Sequence, residues 1–489
     1  MRVAFIASGY ENMGVEFLSA QLKREGHEVR LFFDPKIFGG GILPKINFLN
    51  KIFDLKEKII AQILQWNPHI IGFSCMTHNY LWCIDIAQEI KKIKNIPIIF
   101  GGIHPTLLPE EVLSQECIDM VAVGEAEVSF LKLLNNMTRG IESFEIRGIY
   151  FKQNGKIILN PIESPSLDLD SFAFSDKDIF YEKISAFAKI EYSIMASRGC
   201  LFNCFYCCND YLKRLYKGYQ IYRRRSVKNV IDELKLIKKK YNTRKIIFYD
   251  EVFPSQISWL EEFSKEYKKE IDLPFAIYYH FGLCDEKRIA LLKSAGCSII
   301  FFGLQSVSER VRSEICNRLE TNAQVAEDIQ LCKKHKIQTW IDHIFGLPTE
   351  TEEDAKKAVE FYRELSPDII FSYWLVYYPK TNIIDIALHT GLLKKEDIKM
   401  INNGTDSYYH EGTFINNKKN LLKYELLFDL IPLLSFKWHK KISENKIVFR
   451  MLSGGLLLHF FLLLISGMKL KPKLFLSRLE LLFSKKSVP

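Results

Sequence analysis

The chain lacks the features that mark secreted and membrane-spanning proteins. Its first residues, Met1–Ala7, read as a short buried strand and not as an export signal. An apolar run near the other end, Gly454–Met468, falls short of the roughly 20 residues that span a bilayer. The 11 cysteines are an odd number, which disfavours a disulfide framework and favours a reducing compartment. These absences predict a cytoplasmic protein.

Positive charge is concentrated in the last part of the chain. The formal net charge is +9, and residues 430–489 hold all of this excess, so the rest is formally neutral. An amphipathic segment over residues 472–484 follows the apolar run, as in helices that lie on membrane surfaces. We therefore expect residues 437–486 to make peripheral contact with anionic membranes. The alternative is a set of helices packed on the protein, and interleaved Leu and Phe disfavour nucleic acid.

Residues 1–145 alternate strand-like and helix-like patterns, which predicts a doubly wound, Rossmann-like parallel sheet. The predicted strands are Arg2–Ala7, Val29–Phe33, Ile70–Ser74, Ile96–Phe100 and Met120–Val123. Such sheets bind ligands beyond the carboxyl ends of their strands. Polar residues and glycines occupy those predicted loops: Ser74, Thr77, Gly101, Gly102, His104, Thr106, Gly124 and Glu125.

The chain changes character after residue 145. Pro161, Pro165 and an acidic run mark residues 146–185 as a linker. A strand-then-helix rhythm follows over residues 186–385, and residues 386–489 read as a helical C-terminal tail. The strands predicted in the second α/β region are Tyr192–Ala196, Lys245–Tyr249, Phe275–Tyr279, Ser298–Gly303, Thr339–Phe345 and Ile369–Val376.

Three cysteines with C-x3-C-x2-C spacing, Cys200, Cys204 and Cys207, share one short loop. Thiolates suit iron–sulfur clusters, and a 4Fe–4S cluster held by three of them keeps one iron open. Arg198 and Gly199 precede the loop and supply positive charge and a permissive backbone. The alternative is a zinc site, which usually takes four ligands in two pairs, and no second pair occurs. The motif therefore predicts a 4Fe–4S cluster.

The loop, with Tyr206 before its third cysteine, resembles the signature of the radical S-adenosylmethionine (SAM) superfamily. The resemblance implies that SAM binds the open iron. One electron then cleaves the sulfonium of SAM and gives a 5′-deoxyadenosyl radical. It also implies a partial (β/α)6 barrel and an external electron donor of the flavodoxin or ferredoxin type. Tyr206 would pack against adenine, and Cys208 would be a bystander because a fourth thiolate would displace SAM.

Later motifs resemble the same superfamily. The residues that the resemblance assigns to SAM are Tyr206, Asp250, Glu251, Gln305, Ser306, Arg318, Gly346 and Pro348. The two acids would meet the SAM ammonium group, with an ordinary helix N-cap as the alternative. Residues 344–351 resemble a GLPGET turn near adenine, but Thr349 replaces its second glycine. Lys380 likewise replaces the glycine of a later turn that resembles PGT.

The glycine loops of residues 1–145 resemble the cobalamin-binding domain found ahead of radical SAM domains. The matching motifs are GG-x-HPT from Gly101 and VGE-x-E from Val123. The resemblance implies that the loop residues given above cradle the corrin edge and the dimethylbenzimidazole tail. The turn over residues 9–14 lacks the histidine that coordinates cobalt in many such domains. We therefore expect no protein nitrogen on cobalt, with His104 as a packing or tail-contacting residue.

The combination resembles the class that includes anaerobic magnesium-protoporphyrin ester cyclases and hopanoid-modifying enzymes. It implies radical methylation of an unactivated carbon on a small-molecule or lipid-like substrate. Radical cyclisation or rearrangement without methyl transfer is an alternative, and a non-catalytic corrinoid or iron–sulfur sensor is another. Several aromatic residues could line a substrate pocket or form barrel core: Tyr278, Tyr279, Phe281, Trp340, Tyr373 and Trp374.

The cysteine motif leads to a direct test. Replacing Cys200, Cys204 and Cys207 together by alanine should abolish the visible thiolate-to-iron absorbance and all SAM cleavage in anaerobically reconstituted protein. Cys208→Ala is the matched control and should keep both. Survival of the cluster in the triple variant would contradict the assignment and would bring Cys208 back as a ligand.

Overall fold

Two large β-sheets, one mixed and one parallel, organise the chain. The structure is a computed structural model, and it describes residues 1–9, 11–36, 54–183, 191–404 and 418–431. Seven strands form the first sheet: β1 (Arg2–Ser8), β2 (Glu28–Asp34), β3 (Ile70–Ser74), β4 (Ile98–Gly101), β5 (Met120–Ala122), β6 (Ile149–Gln153) and β7 (Lys156–Ile158). Their order is β2-β1-β3-β4-β5-β6-β7. The first five strands pair in parallel, as predicted, and β6 and β7 are antiparallel.

Helices cover this sheet on both faces, as its apolar central strands require. They are α1 (Met13–Arg24), α2 (Lys56–Trp66), α3 (Tyr80–Ile93), α4 (Ile103–Leu107), α5 (Pro109–Leu113) and α6 (Glu127–Thr138). The strand order changes direction between β1 and β3, and a crevice opens at such a switch point beyond the carboxyl ends. Asn12 caps α1 and donates from Nδ2 to Ser74 Oγ across this crevice, at 2.9 Å.

The segment that follows residue 145 begins with two strands of the first sheet. Strands β6 and β7 extend the edge of the sheet. The chain then continues through a 3-10 turn, Leu169–Ser171, to the short helix α7 (Asp178–Tyr181). Phe180 in α7 packs edge-on against Phe33 of β2, with ring centroids 5.5 Å apart. The predicted linker thus carries its own contacts with the N-terminal domain.

The second sheet has six parallel strands, in agreement with the expected partial barrel. They are β8 (Tyr192–Ile194), β11 (Ile246–Phe248), β12 (Phe275–Tyr279), β13 (Cys297–Gln305), β14 (Gln338–Phe345) and β15 (Ile369–Trp374), in the order β15-β14-β13-β12-β11-β8. Two short strands, β9 (Ser197–Arg198) and β10 (Arg223–Arg224), form a separate antiparallel ribbon. This ribbon leads directly into the cysteine loop.

Helices follow the strands of the second sheet. They are α8 (Cys208–Leu215), α9 (Val227–Lys240), α10 (Ile257–Glu270), α11 (Glu286–Ala295), α12 (Asn322–Lys334), α13 (Glu352–Leu365), α14 (Asn382–His389), α15 (Lys395–Asn402) and α16 (Lys418–Leu430), with a π-helical turn at Val311–Ile315. Among the described residues, no helix combines the length and the apolar character needed to cross a membrane. The predicted membrane-contacting segment, residues 437–486, lies outside the described residues.

The carboxyl edges of the two sheets meet. Tyr378, beyond the end of β15, is buried in the hydrophobic core on one face of the first sheet, and α8 packs against the same core through Tyr211 and Leu215. Gly404 lies so close to the carbonyl of Thr77 that a Cβ on it would be 2.5 Å from that oxygen. The loops predicted to hold ligands on each sheet therefore face one another.

A buried ion cluster joins the connecting segment to the N-terminal domain. The Lys177 ammonium forms ion pairs with Glu11, which follows β1, and with Glu16 of α1, at 2.6 Å from Glu16 Oε2. The side chains of Lys177 and Glu16 are both 0% exposed. Burial raises the pKa of Glu16 well above its ordinary value, and the charge of Lys177 opposes that shift. Removing the lysine would leave uncompensated carboxylates in the core.

We expect Lys177→Met to lower the free energy of unfolding by about 3 kcal/mol, the usual cost of breaking a buried ion pair on one side. Lys23→Met is the matched control, because Lys23 pairs with Asp176 at 2.7 Å while 42% exposed, and such pairs contribute below about 1 kcal/mol. Guanidinium unfolding of the full chain measures both. Equal effects of the two substitutions would contradict a stabilising role for the buried cluster.

Candidate active site

The cysteine loop is fixed by contacts from distant parts of the second domain. The backbone N–H of Phe205 donates to the carbonyl of Cys316 at 3.1 Å, and its carbonyl accepts from the N–H of Ile383 at 3.0 Å. The Asn317 side chain donates to the carbonyl of Asn203 at 2.8 Å. These bonds tie the loop to the π-helical turn and to the start of α14, which follow two different strands.

The thiols of this loop receive hydrogen bonds that suit thiolate ligands. Phe202 N–H donates to Cys200 Sγ at 3.4 Å, and Arg318 Nη1 donates to Cys204 Sγ at 3.7 Å. Burial raises the pKa of Cys200 to about 11, so iron must displace its proton on binding. Burial also raises the pKa of Cys204, and Arg318 opposes that shift.

The three thiols suit a cluster better than a single ion. Among the described residues, no three His, Cys, Asp or Glu side chains converge as the ligands of one metal ion would. In a 4Fe–4S cluster each thiolate binds a different iron, so the three sulfurs need no common centre. Cys207 occupies the N-cap position of α8, and hydrogen bonding with Cys208 together with burial raises the pKa of its thiol, so its proton also has to leave when iron binds. The donor set therefore fits a cluster with three cysteine ligands.

Three buried polar groups near the cysteine loop keep hydrogen-bonding atoms without a partner among the described residues. Arg318 uses Nε on Glu320 at 2.6 Å and Nη1 on Cys204, but Nη2 has no hydrogen-bond partner within the described residues. Gln305 Oε1 is buried without a partner there as well. A Cβ on Gly303 would lie 2.4 Å from Gln305 Nε2 and 3.8 Å from Arg318 Nη1, which brings both groups to one place. An α-carboxylate and an ammonium would satisfy these atoms.

His280 is a third such group, and no sequence motif pointed to it. Its ring stacks on Phe202 of the cysteine loop at 3.5 Å, and Nδ1 contacts the carbonyl of Phe281 at 2.6 Å. Burial lowers its pKa to about 4, so the ring is neutral, and Nε2 has no partner in the described part of the chain. Its position directly after the predicted strand Phe275–Tyr279 is the signal that could have identified it.

The two acids after β11 face different surroundings. Asp250 is 1% exposed and accepts from the N–H of Ala196 at 3.0 Å and from the hydroxyl of Ser197. Burial raises its pKa to about 7 against these hydrogen bonds. These hydrogen bonds join β11 to the start of the cysteine loop, and a contact of Asp250 with the SAM ammonium remains a prediction. Glu251 is exposed, so its carboxylate is accessible to a cation. Desolvation by the protein around it raises its pKa.

The other residues assigned to SAM surround the same loop. The hydroxyl of Tyr206 accepts from Arg318 Nη1 at 3.4 Å, and its ring packs against an apolar cluster that contains Leu347. Ser306 is 1% exposed and its carbonyl accepts from Arg312 at 2.7 Å. The contacts with adenine, ribose and methionine remain predictions.

In the turn after β14, Thr349 adopts a left-handed backbone conformation that usually requires glycine. Gly346 has φ 78°, and Thr349, which stands where the related turn has glycine, has φ 64°. Such a conformation strains a β-branched residue by about 1–3 kcal/mol. Arg310 offsets the strain by donating to the Thr349 hydroxyl and carbonyl, both at 2.9 Å. Glu350 accepts from Gly346 N–H at 2.6 Å, and burial raises its pKa to about 8. Pro348, in the same turn, is buried.

Lys380 repeats this pattern in the later turn. It has φ 61°, again in place of glycine, and its carbonyl accepts from Arg214 Nη2 at 2.7 Å. Arg214 belongs to α8, directly after the cysteine loop. The two substituted turns are therefore both held by arginine side chains.

Two glycines in the loops of the first sheet lie in close contact with other protein atoms. A Cβ on Gly102, at φ 99°, would lie 2.7 Å from the carbonyl oxygen of Cys75. A Cβ on Gly124 would lie 1.9 Å from the hydroxyl of Tyr216, which comes from the second domain. Gly101 would contact only Ala122, at 3.5 Å. Glycine at 102 and 124 is needed by neighbouring protein atoms before any corrin is considered.

The remaining loop residues hold the crevice in shape. Thr106 accepts from the N–H of Gly124 at 3.0 Å and donates to the carbonyl of Gly102 at 2.8 Å. His104 is fully buried, contacts Thr77 Oγ1 at 3.2 Å, and has a pKa lowered by burial to about 4. Half-exposed Ser74 and exposed Gly102 leave uncharged surface at the switch point, which suits the flank of a corrin. His104 packs as expected, and cobalamin contacts for this loop remain predictions.

Glu125 belongs to an ion network between the two domains, and its contact with cobalamin remains a prediction. Arg198 Nη1 lies 3.2 Å from Glu125 Oε2, and Arg223 forms a second ion pair with the same carboxylate. Burial works to raise the pKa of Glu125, but hydrogen bonding from Arg223 and the two positive charges hold it below its ordinary value. No sequence signal identified Arg223, because a two-residue strand has no periodicity.

One face of the second sheet is lined by aromatic rings. Alternate residues of a strand point to opposite faces, and Tyr278, Phe301 and Trp340 belong to a cluster separate from the core under the helices. Tyr278 stacks on Phe301 at 4.5 Å, and Tyr249, 42% exposed, lies 5.6 Å from Tyr278. Of the aromatic residues singled out in the sequence, Tyr279, Phe281 and Trp374 belong to the core on the helix-covered face. The sequence alone could not separate these two sets.

Comparison with known families agrees with both halves of this architecture. Residues 2–134 match the B12 binding domain, and residues 194–362 match the Radical SAM superfamily. The chain belongs to the class of radical SAM enzymes that carry a B12-binding domain ahead of the radical SAM domain. Its cofactors are a 4Fe–4S cluster, SAM and cobalamin.

Named relatives occur in both sequence and structure comparisons. An uncharacterized methyltransferase of Pyrococcus horikoshii is 27% identical over 386 residues, covering 78% of this chain and 79% of its own. The anaerobic magnesium-protoporphyrin IX monomethyl ester cyclase of Rubrivivax gelatinosus is 26% identical over 404 residues, covering 78% and 68%. The cobalamin-dependent SAM radical enzyme OxsB shares the fold, with TM-score 0.67 at 17% identity, covering 98% of this chain and 75% of OxsB.

We expect bound cobalamin to receive no nitrogen ligand from the protein. In protein labelled uniformly with 15N and loaded with unlabelled cobalamin, the electron paramagnetic resonance (EPR) spectrum of divalent cobalt should be unchanged from that of unlabelled protein. The His104 ring packs on the Tyr80 ring, with centroids 4.2 Å apart, and His104→Phe, which preserves this packing, should give the same spectrum. A nitrogen splitting that changes with 15N and disappears in this variant would make His104 a cobalt ligand.

Proposed function

We propose that this protein is a cobalamin-dependent radical SAM methyltransferase that methylates an unactivated carbon of a small-molecule or lipid-like substrate. When bound, the cluster supplies the electron that cleaves SAM, and cobalamin supplies the methyl group. The radical SAM class is established by the two domain matches. Methylation and its carbon target are the proposed part.

The observation that carries the proposal is the direct contact between the two ligand-bearing edges. Tyr216, one residue beyond α8, reaches Gly124 and accepts from the N–H of Glu125 at 2.7 Å. Arg198, two residues before Cys200, pairs with the same glutamate. A methyl donor on the first sheet and a radical source on the second have to reach one substrate atom, and this contact favours such an arrangement.

The chain's own groups have separable tasks under this proposal. The three cysteines would hold the cluster, and the unsatisfied Nη2 of Arg318 and Oε1 of Gln305 would bind the SAM carboxylate and ammonium. Glu251 would add a second partner for the ammonium. Asp250 would hold the start of the cysteine loop through Ser197, and it would thereby fix the distance between the cysteines and the SAM-binding side chains.

The aromatic face of the second sheet supports an apolar or flat substrate. Stacked rings such as Tyr278 and Phe301 offer large apolar area and π faces. Buried surface of this kind also keeps water from a reactive radical. The same surface fits a lipid-like molecule, which the basic tail would present from an anionic membrane. An external flavodoxin-type or ferredoxin-type donor would reduce the cluster in the cytoplasm, without a role for nucleic acid.

Isotope transfer tests the function. Reduced, reconstituted enzyme is incubated anaerobically with a metabolite and lipid extract and with SAM that carries a deuterated methyl group. We expect a product containing the labelled methyl group, together with 5′-deoxyadenosine and S-adenosylhomocysteine. Cys200→Ala is the control and should form no 5′-deoxyadenosine.

Other outcomes of this experiment identify the alternatives. Formation of 5′-deoxyadenosine with an altered substrate that lacks the label would indicate cyclisation or rearrangement, the reaction type of the cyclase relatives. Absence of 5′-deoxyadenosine under all conditions, with an intact cluster, would indicate a sensor.

A further inference from the structure

The residue that enters the cysteine loop from the ribbon, Arg198, connects two domains. Its Nη1 lies 3.2 Å from Glu125 Oε2, and its Nη2 lies 2.7 Å from Glu127 Oε1 at the start of α6. The guanidinium stacks over Phe17 at 4.8 Å and over Phe172 at 5.3 Å. Two carboxylates and two rings therefore define one orientation of this side chain.

The neighbouring residue holds the same ribbon to the other domain. Ser197 is fully buried, and its hydroxyl donates to Asp250 at the end of β11. Side chains alternate along a strand, so Ser197 faces the barrel while Arg198 faces the cobalamin-binding domain. The dipeptide thus bridges both domains immediately before the first cluster ligand.

The second strand of the ribbon reinforces this contact. Arg223 pairs with Arg198 across the ribbon, forms an ion pair with Glu125, and donates to the carbonyl of Ser166 at 2.9 Å. Its side chain is 3% exposed. The arrangement brings two arginines to one carboxylate, which offsets their mutual repulsion.

Gly199, the one residue between Arg198 and the first cysteine, is closely packed. Gly199 has φ 82°, and a Cβ on it would lie 2.4 Å from the carbonyl oxygen of Ile221. Any displacement of Arg198 would therefore reach Cys200 through one closely packed residue. On the other side, Glu125 follows Gly124, whose Cα faces the hydroxyl of Tyr216.

We propose that Arg198 is a positioning residue that, through Glu125 and Glu127, fixes the separation of the cluster and the cobalamin. This inference rests on the proposed function, because it requires both cofactors to act on one substrate. In this proposal Glu125 fixes the relative position of the two domains, whereas the motif resemblance suggested a contact with cobalamin. A guanidinium is needed because its planar fork can reach two carboxylates at once, which an ammonium cannot do in the same geometry.

Three variants and one control test the proposal in the full-length, cluster-containing protein. Arg198→Gln removes the charge, Arg198→Lys keeps the charge without the fork, and Glu125→Gln removes the shared partner. Arg224→Gln is the matched control, because Arg224 is exposed on the same ribbon and points away from Glu125. Iron content and visible absorbance should match wild type in all four proteins.

Hydrogen–deuterium exchange gives the first measurement and requires no cobalamin. We expect residues 120–130 to exchange at least about tenfold faster in Arg198→Gln and in Glu125→Gln, which corresponds to about 1.4 kcal/mol of local stability. Arg198→Lys should resemble Arg198→Gln, and Arg224→Gln should resemble wild type. Unchanged exchange in Arg198→Gln would overturn the proposal.

Spin–spin interaction gives the second measurement and reports the separation itself. With the cluster reduced and cobalamin in its divalent state, wild type should show mutual broadening or splitting of the two EPR signals. Arg198→Gln and Arg198→Lys should lose most of that interaction while each signal keeps its intensity. An unchanged interaction in both variants would overturn the proposal. Failure of wild type to take up cobalamin would instead contradict the proposed function, and exchange would still decide the role of Arg198.

Discussion

The structure depends on a contact between the two large sheets, at the edge where their parallel strands end. Ligand loops on parallel sheets form at these edges, so both cofactor regions lie in the zone between the domains. The contact is made partly by apolar burial, through Tyr378 and α8 against the first domain's core. It is made partly by charge, through Glu125 with Arg198 and Arg223. This contact between the domains determines where the cysteine loop lies. The shape of the glycine loops and the path of the linker depend on it as well.

Much of the fold could be predicted from the sequence because it depends on local patterns. The strands of both sheets are short apolar runs, and Ile70–Ser74 and Phe275–Tyr279 have the predicted bounds. The cysteine motif is equally local, since its spacing alone places three thiols on one loop. The domain boundaries remain predictions, although β6 and β7 show that the segment after residue 145 begins within the first sheet.

The roles of single site residues were harder to predict because they depend on partners distant in sequence. Asp250 stands at a strand end, as a ligand-binding acid would, yet its hydrogen bonds go to Ala196 and Ser197. Gly124 resembles a cofactor-facing glycine, yet the nearest group is the hydroxyl of Tyr216. His280 was overlooked because it belongs to no motif. Thr349 and Lys380 show the reverse case, in which a substituted turn keeps the backbone path of glycine with help from an arginine.

The buried position of Lys177 has a consequence for how the chain acquires its structure during synthesis. Glu11 and Glu16 emerge from the ribosome long before their partner, and both need its ammonium once the surrounding core closes. During synthesis, the N-terminal domain therefore lacks this counter-ion until Lys177 of the connecting segment has been translated. A gene fragment that stops at residue 145 would encode a domain without this counter-ion. A fragment that continues through α7 would keep both the lysine and the packing of Phe180 on Phe33.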